Sequence, residues 1–75
     1  METDPVLAFG ALAHPHRLAV FRLLMRVYPD QRAAGAIGLA LDLRPSTLSA
    51  YLAQLRDCGL ITQERRGTSL LYAAA

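Results

Sequence analysis

The sequence has one cysteine, no tryptophan and no lysine. A lone thiol, Cys58, excludes an internal disulfide framework and any zinc site built from cysteines within one chain. No apolar run approaches the length of a membrane span: the longest, around Leu18 to Met25, is interrupted by Arg22. The opening Met1-Glu2-Thr3-Asp4 is acidic, so neither a signal peptide nor a membrane partner is expected, and the expected compartment is the cytoplasm. Catalytic groupings are missing too. Glu2, Asp4, Asp30, Asp42, Asp57 and Glu64 form no close pair with a histidine, and there is no phosphate-cradling glycine loop or nucleophile elbow. With 75 residues the chain forms one domain over 1–75, too small for a large active-site cleft. An enzyme and a bound cofactor are both outside expectation.

What is present is a foldable, basic chain. Apolar residues make up 53% and charged residues 19%, with no low-complexity tract, repeat or linker. The net charge is +2, and all eight basic residues are arginine, whose fork suits phosphates and guanine edges. Arg44, Arg56, Arg65 and Arg66 fall in one third of the chain.

The order of local signals predicts short helices followed by a hairpin. Asp4-Pro5 starts a helix with an N-cap and a proline at the first position, placing Val6, Phe9 and Leu12 or Ala13 on one side. His14-Pro15 breaks it, because the residue before proline leaves the helical region. A second helix runs from about His16 to Tyr28, with Leu18, Phe21, Leu24 and Met25 at helical spacing, and Pro29-Asp30 closes it. The third, about Ala33 to Leu41, contains Gly35 and Gly38, which each weaken a helix by about 1 kcal/mol. Close packing against a neighbour would account for them.

After the short connection Asp42-Leu43-Arg44, Pro45 opens a fourth helix whose Leu48, Tyr51, Leu52 and Leu55 form an apolar stripe. Its other side carries Ser46, Thr47, Ser49, Ala50, Ala53 and Gln54, with nothing bulky or acidic before Asp57. Such a face can enter a major groove; it is also what an ordinary solvated helix face looks like. The neighbouring segments favour the first reading. A helix, a short turn and a second helix suit a helix-turn-helix with the second helix as reader. Gly59 ends that helix. Leu60 to Glu64 and Ser69 to Tyr72 then read as two strands joined by Arg65-Arg66-Gly67-Thr68, a hairpin that presents guanidinium groups to flanking DNA. The expected fold is mainly α with a small β-hairpin, a winged helix-turn-helix of about four helices and a two-stranded wing. The expected DNA-contacting residues are Arg44, Ser46, Thr47, Ser49, Ala50 and Gln54 on the helix, and Arg65, Arg66 and Thr68 on the wing. A winged helix that binds protein instead of double-stranded DNA is the rival reading, and the two differ in salt dependence.

These residues resemble a known family. His14-Pro15-His16-Arg17-Leu18 followed by Phe21-Arg22-Leu23-Leu24 is similar to the "D-P-x-R-L…L-x-L-L" opening of ArsR/SmtB-type regulators. Leu43-Arg44-Pro45-Ser46-Thr47-Leu48-Ser49-Ala50-Tyr51-Leu52 resembles their "L-S-Q-S-T-V-S-H-H-L" reading helix. Leu55-Arg56-Asp57-Cys58-Gly59-Leu60-Ile61 is similar to "L-R-x-A-G-L-V", and Arg65-Arg66-Gly67 with Tyr72 fits the wing. The resemblance implies a homodimeric repressor that binds an imperfect palindrome and releases it on meeting an inducer, which the sequence does not identify.

The departures from the family also carry information. The metal sensors' "C-V-C"-like run corresponds here to Ala33-Ala34-Gly35-Ala36-Ile37-Gly38, which offers no ligand, so no metal site is expected there. The usual serine N-cap is Arg44, which cannot accept a backbone bond. Ala50 and Tyr51 replace paired histidines, so a different operator is expected. The family usually has a further helix after the wing, whereas this sequence stops at Ala73-Ala74-Ala75. His14 and His16 flank a proline without an acidic or cysteine partner and read as structural, Cys58 reads as a small buried apolar residue, and Tyr51 and Tyr72 as packing. Arg17 is open between buttressing the fold and touching phosphate.

Overall fold

The computed structural model describes residues 4–75; the acidic opening at residues 1–3 lies outside them. Helix α1 (Pro5–Leu12) starts as expected: Asp4 Oδ1 accepts from the Val6 and Leu7 amides at 2.9 and 3.3 Å. Its packing side is not the expected one. Only Ala8 is buried, while Val6 and Phe9 are 79% and 77% exposed. The residues that face the rest of the molecule are Ala8, Ala11 and Leu12.

Helix α2 (Pro15–Val27) starts one residue before the expected His16, because proline is preset for the first helical position. His14 caps it through Nδ1, which accepts the His16 N–H at 3.2 Å. Val20 and Leu24 are fully buried, Leu18 and Phe21 half-buried, and Met25 is exposed. Helix α3 (Ala34–Leu41) and helix α4 (Pro45–Asp57) follow, and their buried residues Ile37, Leu48, Leu52 and Leu55 meet Val20 and Leu24 in the core. Each such side chain contributes about 1.5–3 kcal/mol.

The wing is larger than a hairpin. Strands β2 (Ile61–Arg66) and β3 (Ser69–Ala74) are joined by β1 (Arg32–Ala33), giving an antiparallel sheet of order β1-β3-β2. Arg32 pairs with Tyr72 and Ala33 with Leu71, so Ala33, expected to open the third helix, is strand instead. A strand of two residues has no alternation to read. The hairpin turn is also shorter than expected. Arg66 pairs with Ser69, which puts Arg65 and Arg66 inside β2 and leaves Gly67-Thr68 as the turn. Gly67 has φ +61°, and glycine at the first central position is what a type II′ turn requires. Ile61, Tyr72 and Ala74 close the core from the sheet side. No helix among the described residues is long and apolar enough to cross a membrane.

Candidate nucleic-acid interface

The turn between α3 and α4 sets the direction of α4. Asp42 ends α3 with φ 55° and ψ 48°, a left-handed conformation that aspartate tolerates better than most side chains. The chain then folds back so that the Leu43 N–H donates to the Gly38 carbonyl at 3.0 Å. A Cβ on Gly38 would stand 3.1 Å from the Leu43 carbonyl oxygen, so a close approach accounts for that glycine. It does not account for Gly35, where a Cβ would meet nothing within 4 Å. Arg44 supplies the N-cap position of α4 without a side-chain cap bond, and its backbone carbonyl accepts from Leu48 at 2.9 Å.

With Leu48, Leu52 and Leu55 buried, the opposite side of α4 is fixed by geometry. Ser46, Ser49, Ala50 and Gln54 are exposed and Thr47 is half-buried. Of the helix and wing positions singled out in the sequence, Ser49 and Thr68 line one cleft and so face a common space. Gln54 is differently engaged. Its Oε1 accepts from Arg17 Nη1 at 3.0 Å, and the same guanidinium donates to the Ala11 and Gly10 carbonyls at 2.8 and 3.3 Å. Arg17 therefore buttresses the fold, joining the end of α1 to the last turn of α4.

The wing arginines are not equivalent. Residues opposite one another in an antiparallel pair point to the same side of the sheet, and successive residues to opposite sides. Arg65 pairs with Leu70, which packs on the core beside α4, so Arg65 lies on the α4 side. Arg66 pairs with Ser69 and lies on the far side with Glu64. There Arg66 Nε is 3.4 Å from Glu64 Oε1, while Glu64 Oε2 accepts from Gln31 Nε2 at 2.5 Å. The Gln31 hydrogen bond first, and the Arg66 charge second, hold the Glu64 carboxyl below its ordinary pKa. Among the described residues Arg44 and Arg65 have no side-chain partner.

Several supporting contacts lay beyond sequence reading. Arg56 Nη1 donates to Gln63 Oε1 at 2.7 Å and its Nε and Nη2 reach Asp57 Oδ1, tying the end of α4 to β2. Tyr51 packs its ring against His14 and His16, with centroids 5.2 and 6.4 Å away, so the start of α2 packs on the middle of α4. Cys58 is buried and its Sγ donates to the Leu55 carbonyl at 3.4 Å, as a small core residue would.

A family model of a helix-turn-helix domain matches residues 12–64. Over 80 aligned positions the whole chain is 31% identical to an uncharacterized HTH-type transcriptional regulator of Mycobacterium tuberculosis, and spans 68% of it. It is 30% identical to the biofilm growth-associated repressor of Agrobacterium fabrum, with 97% of this chain and 60% of that protein covered. Among solved structures, a homodimeric winged helix-turn-helix DNA-binding domain from Mycobacterium bovis, a possible ArsR-family regulator, superposes with a TM-score of 0.83. That match has 34% identity and covers 93% of this chain and 62% of the other.

Proposed function

Since the chain belongs to the ArsR-type winged helix-turn-helix transcriptional regulators, we propose that it acts in the cytoplasm as a homodimeric repressor reading a palindromic duplex site. The observation that carries this reading is the outer side of α4. It holds small polar or methyl side chains at Ser46, Ser49 and Ala50, and it shares a space with the wing, on whose near side Arg65 stands unpaired. Hydroxyls can bond base edges or phosphates, the Ala50 methyl can meet a thymine methyl, and Arg44 and Arg65 can neutralise phosphates on either flank. Gln54 and Thr47 stand at the edge of this surface, with Gln54 oriented through Arg17. Helix α1 supports the dimer: Val6, Leu7 and Phe9 are exposed on it, which is costly unless a second copy covers them. Two copies would then place two α4 faces in successive major grooves about one helical turn apart.

The test is selection from random duplexes at two salt concentrations, followed by titration of variants on the recovered site. Recovery of a two-fold-symmetric, salt-sensitive motif is the expected result; folded protein that enriches nothing at low salt would leave the reading without support and favour a protein-binding module.

On that site Arg65→Ala is expected to weaken binding about five- to tenfold on every sequence and to reduce the slope of log K against log salt by about 0.9, the loss of one phosphate contact. Arg66→Ala should do less, because Glu64 already offsets its charge. Glu64→Gln should release Arg66 and tighten binding by a few-fold. That sign is coulombic, since the variant removes a negative charge beside the phosphates. With its folded pKa lowered, Glu64 is ionised at neutral pH, and its contribution to stability is lost only as pH falls through that lowered value. Equal losses for the two arginines would overturn the assignment of wing sides.

A separate expectation concerns specificity. Ser49→Ala and Ala50→Ser should change which bases are preferred, by about 1–3 kcal/mol per read base pair, with little change in salt slope. Repeating the selection with each variant checks it, and an unchanged motif would remove those two positions from the readout.

A further inference from the structure

The cleft between α3, the first half of α4 and strand β3 is more than the gap beside a wing. It measures about 620 Å³, within the range of small-molecule sites, which is roughly 300–1,000 Å³. Leu48, Leu52, Leu70 and Tyr72 line it together with Gly35 and Gly38 of α3. A Cβ on Gly35 would meet no neighbour within 4 Å. On the rim Leu39 is 88% exposed, an apolar side chain that a bound molecule would cover.

Two observations define the chemistry. Tyr72 is only 7% exposed, lines the cleft, and has no hydrogen-bond partner for its hydroxyl among the described residues. Among the described residues no fully buried polar side-chain atom is left unsatisfied, so the hydroxyl is open to solvent and free to donate. The second observation is charge. Asp42 is the one charged residue in the lining, and no arginine joins it, so a phosphate or carboxylate would meet no counter-charge. We propose that the cleft is a binding site for a neutral, mostly apolar ring compound bearing a hydrogen-bond acceptor, which the Tyr72 hydroxyl addresses. Resting on the DNA-reading role, the same occupancy opposes duplex binding, because the ligand lies between Ser49 of the helix and Thr68 of the wing.

Quinoline and naphthalene have the same shape and differ by one ring nitrogen acceptor, so they form the probe pair. Titrated into the full chain and followed by amide chemical shifts, both are expected to perturb Gly35, Leu39, Ser49, Leu70 and Tyr72. Quinoline should bind more tightly. Tyr72→Phe, which removes only an unpartnered hydroxyl, should weaken quinoline about fivefold and leave naphthalene unchanged within about twofold. Shifts confined to the exposed side of α1, no shifts up to the solubility limit, or equal effects of Tyr72→Phe on the two probes would overturn the site. Duplex affinity measured without a probe keeps the two readings apart: if the duplex binds and quinoline fills the cleft without weakening it, the site stands and the coupling falls.

Discussion

Val6→Glu combined with Phe9→Glu is expected to give a folded monomer whose affinity for a two-half-site duplex is lower by about 10²- to 10⁴-fold, the gain that linking two binding modules supplies. The fold should survive because neither side chain touches the core: they are 79% and 77% exposed, and α1 is held through Ala8, Ala11 and Leu12. Glutamate is a good helix former, and at position 6, in the first turn, its charge is favourable. What the substitution removes is the apolar surface that a second copy would cover, and it sets four carboxylates face to face across that contact. Sedimentation equilibrium and titration on whole and half sites check this. Affinity for an isolated half-site should be unchanged, which separates loss of pairing from damage to the reading surface. A double variant that remains dimeric would move the interface elsewhere, and one that is monomeric yet binds the whole site as tightly as before would remove dimerisation from the mechanism.

The exposure of Val6 and Phe9 also shows where the sequence was hard to read. Helix α1 is apolar almost all round, so its periodicity has no polar side to contrast with, and the residues it spaces correctly can face either way. Helix α4 posed the opposite case. Pro45 marks its start, Gly59 follows its end, and leucines at 48, 52 and 55 stand against serines and a glutamine, so element, boundaries and outer face were all legible. The strands were legible as a pair through Gly67, and Ser69 does start the second, but the inner end of the first was not legible. Placing Arg65 and Arg66 in the turn treats them as equals at the tip, whereas carrying β2 through Arg66 separates them by the two-residue period of a strand. That single boundary decides which arginine shares a side with the reading helix. Strand β1 left no signal because two residues cannot show a pattern, and its pairing depends on β3, some forty residues away.

Arg17 could not be assigned from sequence for a related reason: two of its partners are backbone carbonyls, and the third, Gln54, is 37 residues distant. Its substitution is expected to have the second large effect. Arg17→Ala removes the side-chain donor from the Ala11 carbonyl, leaves the Gly10 carbonyl with only the Ala13 N–H at 3.3 Å, and frees the Gln54 amide. Hydrogen bonds to charged groups contribute about 1.5–3 kcal/mol each, but this guanidinium is only half-buried and water can replace part of the loss, so the total should be about 2 kcal/mol. For a domain of this size that lowers the thermal midpoint by roughly 8–16 °C. Lysine can reach one carbonyl but cannot fork to three acceptors, so Arg17→Lys should recover less than about half of the loss. Gln54→Ala should cost less than Arg17→Ala, and the double variant should cost less than the sum, since each single change already breaks the shared bond. Duplex binding supplies the functional readout. If Gln54 reaches bases only from the orientation Arg17 gives it, Arg17→Ala and Gln54→Ala should relax preference at the same base position while leaving the salt slope intact. A midpoint within about 3 °C of the parent for Arg17→Ala would show that the three contacts are not a structural link. Relaxation at different base positions would show that Arg17 steadies the fold without aiming Gln54, and the readout would then contract to the first half of α4.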